Sequence, residues 1–377
     1  MIYFDNASTT ALSEPVLEIV YNSLKNDYAN PSSLHSAGFQ VERLVTKARE
    51  QVARALKVSA EDIYFTSGGT EANNTAVLGT ARANVRRGKH LITSVIEHPS
   101  VTEAFQRLEK EGFEVTYLPV DEKGYVSVED LKNAVRQDTT LVSIMCVNNE
   151  TGTIQDIEAL SGVVKAKNKD CIFHTDCVQA FGKHHIPSKC VDMLSVSGHK
   201  IHAPKGVGAL YVKKGTHIEN LHFGGGQEKA FRPGTENTAS IIGFGLAAEI
   251  AEKEREQNLE RVALVKKTFL QGIDLEKVFV NGDSENASPY IANLSFEGVK
   301  GEVLLHALED RKIYVATGSA CSSKLKKKQK IVDLLVEGRG GNNVRFSFGG
   351  QNTVEEAKMA AQAVNELVPV LRRFIPR

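Results

Sequence analysis

From about residue 60 onward the chain alternates short apolar runs with stretches of helical spacing. Runs rich in Val, Ile and Leu predict strands at Asp62–Thr66, His90–Val95, Glu114–Leu118, Leu141–Cys146, Cys171–Asp176, Met193–Ser197 and Gly208–Val212. Apolar positions three and four apart predict helices between them, at Glu71–Val85, Ser100–Glu111, Val128–Val135 and Ile157–Asn168. Strands that are apolar on both faces and separated by helices predict a mostly parallel central sheet covered by helices, an α/β architecture.

The pattern then changes. Thr238–Gln271, rich in Ala, Glu and Lys, predicts one long helix leading out of that unit. Beyond it, strands at Lys277–Asn281, Ile291–Phe296, Ile313–Val315 and Val344–Ser347 mix with helices near Gly301–Asp310 and Val354–Arg372. This is the pattern of a smaller α+β domain. At 377 residues the chain is too long for one core of ordinary size. The expected division is a large domain at 15–255 and a small one made of 1–14 with 256–377. By pattern alone the first residues fit either unit.

Composition narrows the function. Lys+Arg and Asp+Glu both number 46, so the formal net charge is zero and nothing global points to nucleic acid or an anionic membrane. No run approaches the length of a membrane span, and Met1–Asn6 has neither the basic nor the apolar stretch of a signal peptide. The five cysteines, at 146, 171, 177, 190 and 321, form no CxxC pair. That spacing suggests reduced thiols in a cytoplasmic setting and no metal site.

Ligands of open α/β sheets bind beyond the carboxyl ends of the strands. After the first strand stands Ser67-Gly68-Gly69-Thr70, either a plain helix cap or a loop whose N–H groups meet a phosphate. Glu97-His98-Pro99 follows the second, and its histidine is either a packed ring or one that stacks on a cofactor and moves a proton. Asn148-Asn149-Glu150-Thr151-Gly152 reads as a turn. Asp176 ends a strand, where a carboxylate caps a turn or keeps a pyridine nitrogen protonated. Ser197-Gly198-His199-Lys200 ends another, and a lysine there is either solvated or poised as a nucleophilic amine. Phosphate loop, stacking histidine, ring-nitrogen carboxylate and lysine together are the four kinds of group that pyridoxal 5′-phosphate needs.

These motifs carry a resemblance. The chain resembles the cysteine desulfurases of the NifS/IscS kind, which are fold-type I pyridoxal-phosphate enzymes of the class V aminotransferase family. The likeness runs from Tyr3-Phe4-Asp5-Asn6-Ala7 and Asn30–His35 through Thr66–Glu71, Glu97-His98, Val147–Thr153 and His174–Gln179. It continues through Ser197–Lys200, Pro204–Gly208, Gly224–Glu228 and Arg232-Pro233-Gly234-Thr235 to Gly318–Ser323 and Val344–Ser347.

The resemblance implies a role for each matched residue. Lys200 holds the cofactor and moves the Cα proton, and Cys321 accepts sulfur from free L-cysteine as a persulfide, releasing L-alanine. His98 stacks on the ring and assists proton transfer, Asp176 pairs with the ring nitrogen, and Gln179 meets the phenolic oxygen. Gly69, Thr70, Ser197 and His199 bind the phosphate, and Thr235 reaches the phosphate of the partner subunit in a homodimer. Asn148 and Arg345 hold the substrate carboxylate. A protein then takes the sulfur, for iron–sulfur cluster assembly or for tRNA or cofactor thiolation; the sequence does not say which. The same scaffold serves aminotransferases, which need no thiol, and selenocysteine lyases. A non-enzymatic sulfur-relay or scaffold partner should have lost Lys200, Cys321 or Arg345, and all three are present. One departure stands out: five lysines fall within 324–330, just after Cys321. They form either a solvated helix start or a dock for an acidic acceptor.

Overall fold

The structure is a computed structural model describing residues 1–318, 331–339 and 341–373. Strand β1 is Ile2–Tyr3, and the first long strand, β2, is Ile63–Thr66. Then come β3 (His90–Ser94), β4 (Glu114–Leu118), β5 (Thr139–Ser143), β6 (Ile172–Asp176), β7 (Met193–Ser197) and β8 (Gly208–Val212). Strands β2 to β8 form one seven-stranded sheet in the order β2-β8-β7-β6-β5-β3-β4. Only β8 runs against the others. The carboxyl ends of β2, β3, β5, β6 and β7 therefore lie along one edge, where the sequence placed the candidate chemistry. Strand β5 closes earlier than the apolar run predicts. Ile144 and Cys146 still donate across to β6, while Met145 N–H turns away to a side chain.

Two helices that the pattern did not single out, Glu14–Asn26 and Ser36–Leu56, pack against the long helix Thr238–Gly272. That helix is about 52 Å long at 1.5 Å per residue. Ile241, Phe244, Ala247 and Ala248 join the core on the sheet; Val262, Val265 and Phe269 join a second core. Seven successive polar residues, 252–258, separate the two sets of contacts.

The second core is built on an antiparallel sheet in which β10 (Ile291–Phe296) lies between β9 (Val278–Val280) and β12 (Asn343–Ser347). Helices Gly301–Asp310 and Val354–Arg372 cover it. The N-terminus belongs here: β1 pairs in parallel with β11 (Ile313–Tyr314), and Ile2, Phe4 and Ala7 are buried in this core. The chain then turns back, and Thr10 N–H donates to the His199 carbonyl at 3.0 Å. Residues 5–10 thus run from the second core to the edge of the large sheet.

Candidate active site

Lys200 ends a tight turn, Gly198–Lys200, directly after β7. Its Nζ donates to the carbonyls of Ala7 and Ser8, both at 2.6 Å. Asp176, the last residue of β6, is buried; Oδ1 accepts from Val178 N–H at 2.9 Å and Oδ2 from Asn73 Nδ2 at 2.7 Å.

Asn73 was not picked out in the sequence. It lies on the helical segment that begins at Gly69 and passes through a π-helical stretch at Thr75–Gly79. Its Nδ2 also donates to Ser100 Oγ at 2.9 Å, and Ser100 Oγ is 2.8 Å from His98 Nδ1. Asp176 and His98 are therefore linked through Asn73 and Ser100. His98 caps the helix Pro99–Lys110, its Nδ1 accepting Ser100 N–H at 3.1 Å. An Nδ1 that accepts leaves the neutral ring's proton on Nε2. The residue is exposed, yet the surrounding protein displaces enough water from the ring to lower its pKa. Lys200 lowers it further, and Asp176 opposes both.

Beside His98, Glu97 is 4% exposed. Its Oε1 accepts from Ser94 Oγ at 2.5 Å and from Met145 N–H at 3.0 Å, while Oε2 has no partner. Burial pushes its pKa up to about 8, and the Asp176 charge adds to that against the two hydrogen bonds. Glu97 is thus a neutral acid at pH 7. Unfolded, it would ionise near 4.5, so its contribution to stability falls as pH rises from about 4.5 to about 8. Glu97→Gln should remove that loss. Its unfolding free energy should exceed the wild-type value by an amount growing to a few kcal/mol, in order of magnitude, by pH 8. Chemical denaturation at pH 5 and pH 8 checks this, and an equal difference at both would contradict it.

Gly68 (φ +150°), Gly69 and Ser197 lie side by side, because β2 and β7 flank the start of β8 at Gly208. A Cβ on Gly69 would come within 2.7 Å of Val178 Cγ2, which explains the glycine. The first N–H groups of the helix, at Gly69 and Thr70, have no intrahelical partner by position. His199 closes the group, with Nδ1 3.2 Å from Thr9 Oγ1. Burial, then Lys200 and two further lysines, lower its pKa to about 4, so it is neutral. Gln179 is buried and donates from Nε2 to the Ala7 carbonyl at 2.8 Å, while its Oε1 accepts from Lys183 at 3.2 Å.

Arg345 comes from the other sheet, on β12. Its Nη1 donates to the Asn149 carbonyl at 2.8 Å and Glu150 Oε1 at 2.9 Å; its Nη2 donates to Asp5 Oδ1 at 3.1 Å and Ser8 Oγ at 2.7 Å. Asn148 is fully buried. Its Oδ1 accepts from the N–H groups of Glu150 and Thr151 and from Thr151 Oγ1, and its Nδ2 donates to the Ile96 carbonyl at 3.1 Å. The structure thus sets Asn148 inside the turn that presents Asn149 and Glu150 to Arg345. Thr235 is exposed, and its neighbours Arg232, Gly234 and Glu236 line a cleft with Thr66, Ser67 and Gly206. Cys321 and the lysines at 324–330 lie outside the described residues. The described chain leads up to Gly318, where a Cβ would sit 3.0 Å from Glu150 Oε2.

A buried carboxylate, a strand-end lysine, a neutral histidine at the rim and a cradle of glycine, serine and helix N–H groups fit a phosphorylated pyridine aldehyde. The sequence pattern of the aminotransferase class-V family matches residues 2–359. The chain belongs to that family. It is 43% identical over 384 residues to a protein of Dictyoglomus turgidum named cysteine desulfurase IscS, covering 100% of this chain and 96% of the other. Among solved structures, one titled NifS-like protein is 36% identical with a TM-score of 0.93, over 98% of this chain and 99% of that one. Another, titled SspA in complex with cysteine, is 32% identical with a TM-score of 0.81, over 93% and 99%. Pyridoxal 5′-phosphate is accordingly the cofactor of this enzyme. Among the described residues no helix is long and apolar enough to cross a membrane, and no three His, Cys, Asp or Glu side chains group to hold a metal.

Proposed function

We propose that this site removes sulfur from L-cysteine, with Lys200 and Arg345 handling the amino acid and Cys321 taking the sulfur. The chain is a pyridoxal-phosphate-dependent cysteine desulfurase, and the names of its full-length relatives support that reading. The observation that carries it is a convergence on two residues. Lys200 and Gln179 meet at the Ala7 carbonyl, and Lys200 and Arg345 meet at Ser8. Amine, ring contact and guanidinium are thus within one substrate's reach of each other.

When bound, pyridoxal phosphate supplies an electron sink for the charge left on the substrate's Cα. Asp176 would keep the ring nitrogen protonated, and Gly69, Thr70, Ser197 and His199 would hold the phosphate. Lys200 Nζ takes the proton from Cα, and His98, with its proton on Nε2, assists at the rim. The Cys321 thiolate attacks the substrate sulfur. A sulfur–sulfur bond forms, the Cβ–Sγ bond breaks, and its electron pair stays on the carbon fragment. That fragment takes up a proton at Cβ, Lys200 returns the proton it took to Cα, and the product leaves as L-alanine, so no outside oxidant is needed. Arg345 accepts the substrate carboxylate, and Asn148 acts on it through the turn at 149–150.

Losing that bidentate contact should lower kcat/KM for cysteine by roughly 30- to 1000-fold in Arg345→Ala, or about 2–4 kcal/mol of transition-state binding. Arg345→Lys should recover little, since an ammonium lacks the planar fork. An unchanged specificity constant in either variant would remove Arg345 from the site.

Thr235 serves the site of a second copy in a homodimer; sedimentation at the mass of one chain, with cofactor and activity intact, would exclude this. We place the enzyme in the cytoplasm, with domains divided near residue 255 and a sulfur-acceptor protein as the final partner.

A further inference from the structure

Lys183 is buried, and among the described residues no carboxylate pairs with it. Its ammonium touches the Gln179 carbonyl oxygen and lies 5.5 Å from the centre of the Tyr290 ring. Burial, then the charges of Lys200 and Arg345, lower its pKa to about 7, and its own charge lowers the pKa values of His184, His199 and His202. An ammonium is costly to keep in such a place. What it does there follows from the one polar atom it holds.

A primary amide has an acceptor end and a donor end. As an ammonium Lys183 only donates, so in that form it selects the oxygen of Gln179 and turns the NH2 the other way. That NH2 donates to the Ala7 carbonyl at 2.8 Å, the same oxygen that Lys200 Nζ reaches at 2.6 Å. The two donors converge on one acceptor position. In pyridoxal phosphate the phenolic oxygen stands ortho to the aldehyde carbon that joins the lysine, so the cofactor brings an anionic acceptor beside Nζ. We propose that Lys183 is a positioning residue for the cofactor, holding the Gln179 amide with its NH2 toward the phenolic oxygen and placing positive charge behind that hydrogen bond. The proposal rests on the assignment of Lys200 and Gln179 to pyridoxal phosphate.

Lys183→Met keeps an unbranched chain one atom shorter and loses both the charge and the donor. In the reconstituted full-length enzyme, the visible absorption of the Lys200-bound cofactor should titrate about one pH unit higher, since a nearby cation disfavours the protonated form. The dissociation constant for pyridoxal phosphate should rise roughly tenfold. It should not rise for 3-deoxypyridoxal phosphate, which lacks the phenolic oxygen. Gln179→Leu should move the titration the same way, and the double variant should shift it by less than the sum of the two. Lys183→Gln, uncharged but still a donor, is the second variant and should fall between wild type and Lys183→Met. An unchanged titration and affinity in folded Lys183→Met or Lys183→Gln would overturn the proposal alone. So would an equal affinity loss toward the 3-deoxy analogue. Wild-type protein that takes up no pyridoxal phosphate would overturn the cofactor assignment and the proposal together.

Discussion

Lys200→Ala should lose cysteine turnover by at least roughly 10⁴-fold, because one amine does two jobs. In the proposed reaction it forms the bond to the cofactor and takes the proton from Cα. Its geometry is fixed from both sides, by the tight turn after β7 and by two carbonyls at 2.6 Å. The nearest competitor is Lys183, whose pKa of about 7 leaves a good part of it as neutral amine at neutral pH. Lys183 is buried behind Gln179, however, and its nitrogen is held there. Borohydride should therefore fix a pyridoxyl group on Lys200 of the wild-type protein. A label found at Lys183, or retained turnover in Lys200→Ala, would place the chemistry elsewhere.

Cys321→Ala should separate cofactor chemistry from sulfur transfer. The residues assigned to the cofactor do not include Cys321, so the variant should bind pyridoxal phosphate and give the spectral response to cysteine. Alanine release should fall by at least roughly 100-fold, as expected when a nucleophile is removed. The other thiols are poor replacements. Cys146, Cys171 and Cys177 are buried, burial raises the Cys171 pKa to about 12, and that of Cys177 is raised well above its ordinary value. A buried thiol that stays protonated is inert. Cys190 is half-buried in the short turn before β7. Full desulfurase activity in Cys321→Ala would make that residue incidental.

The parts of this picture legible in the sequence share a physical basis. Strands and helices of the large sheet announce themselves by period, and the site motifs by small and polar residues that interrupt apolar runs at strand ends. Gly69, Asp176, Ser197 and Lys200 stand at such interruptions. The helix at Ser36–Leu56 was not, because its boundary signals are unusual. His35 is its cap through Nδ1, and it ends on Lys57 at φ +57° where glycine is the common residue. Contacts distant in the chain leave no local pattern at all. Asn73 meets Asp176 across 103 residues and Lys200 meets Ala7 across 193. Neither pair has a period or spacing to betray it. Protonation is equally hidden: Glu97 stands beside His98 in the sequence, but only burial in the fold, with Asp176 nearby, makes it a neutral acid, against the hydrogen bonds from Ser94 and Met145. Asn148 was assigned to the substrate on its motif, and the fold turns its amide into the backbone of its own turn.

The central claim is that L-cysteine gives up its sulfur to Cys321. Incubation of the purified enzyme with L-cysteine, followed by mass spectrometry of small molecules and peptides, tests it in one experiment. L-alanine and one extra sulfur atom on the peptide containing Cys321, reversed by a thiol reductant, are the expected products. Consumption of cysteine to pyruvate or to a transaminated product, with the Cys321 peptide unmodified, would contradict it.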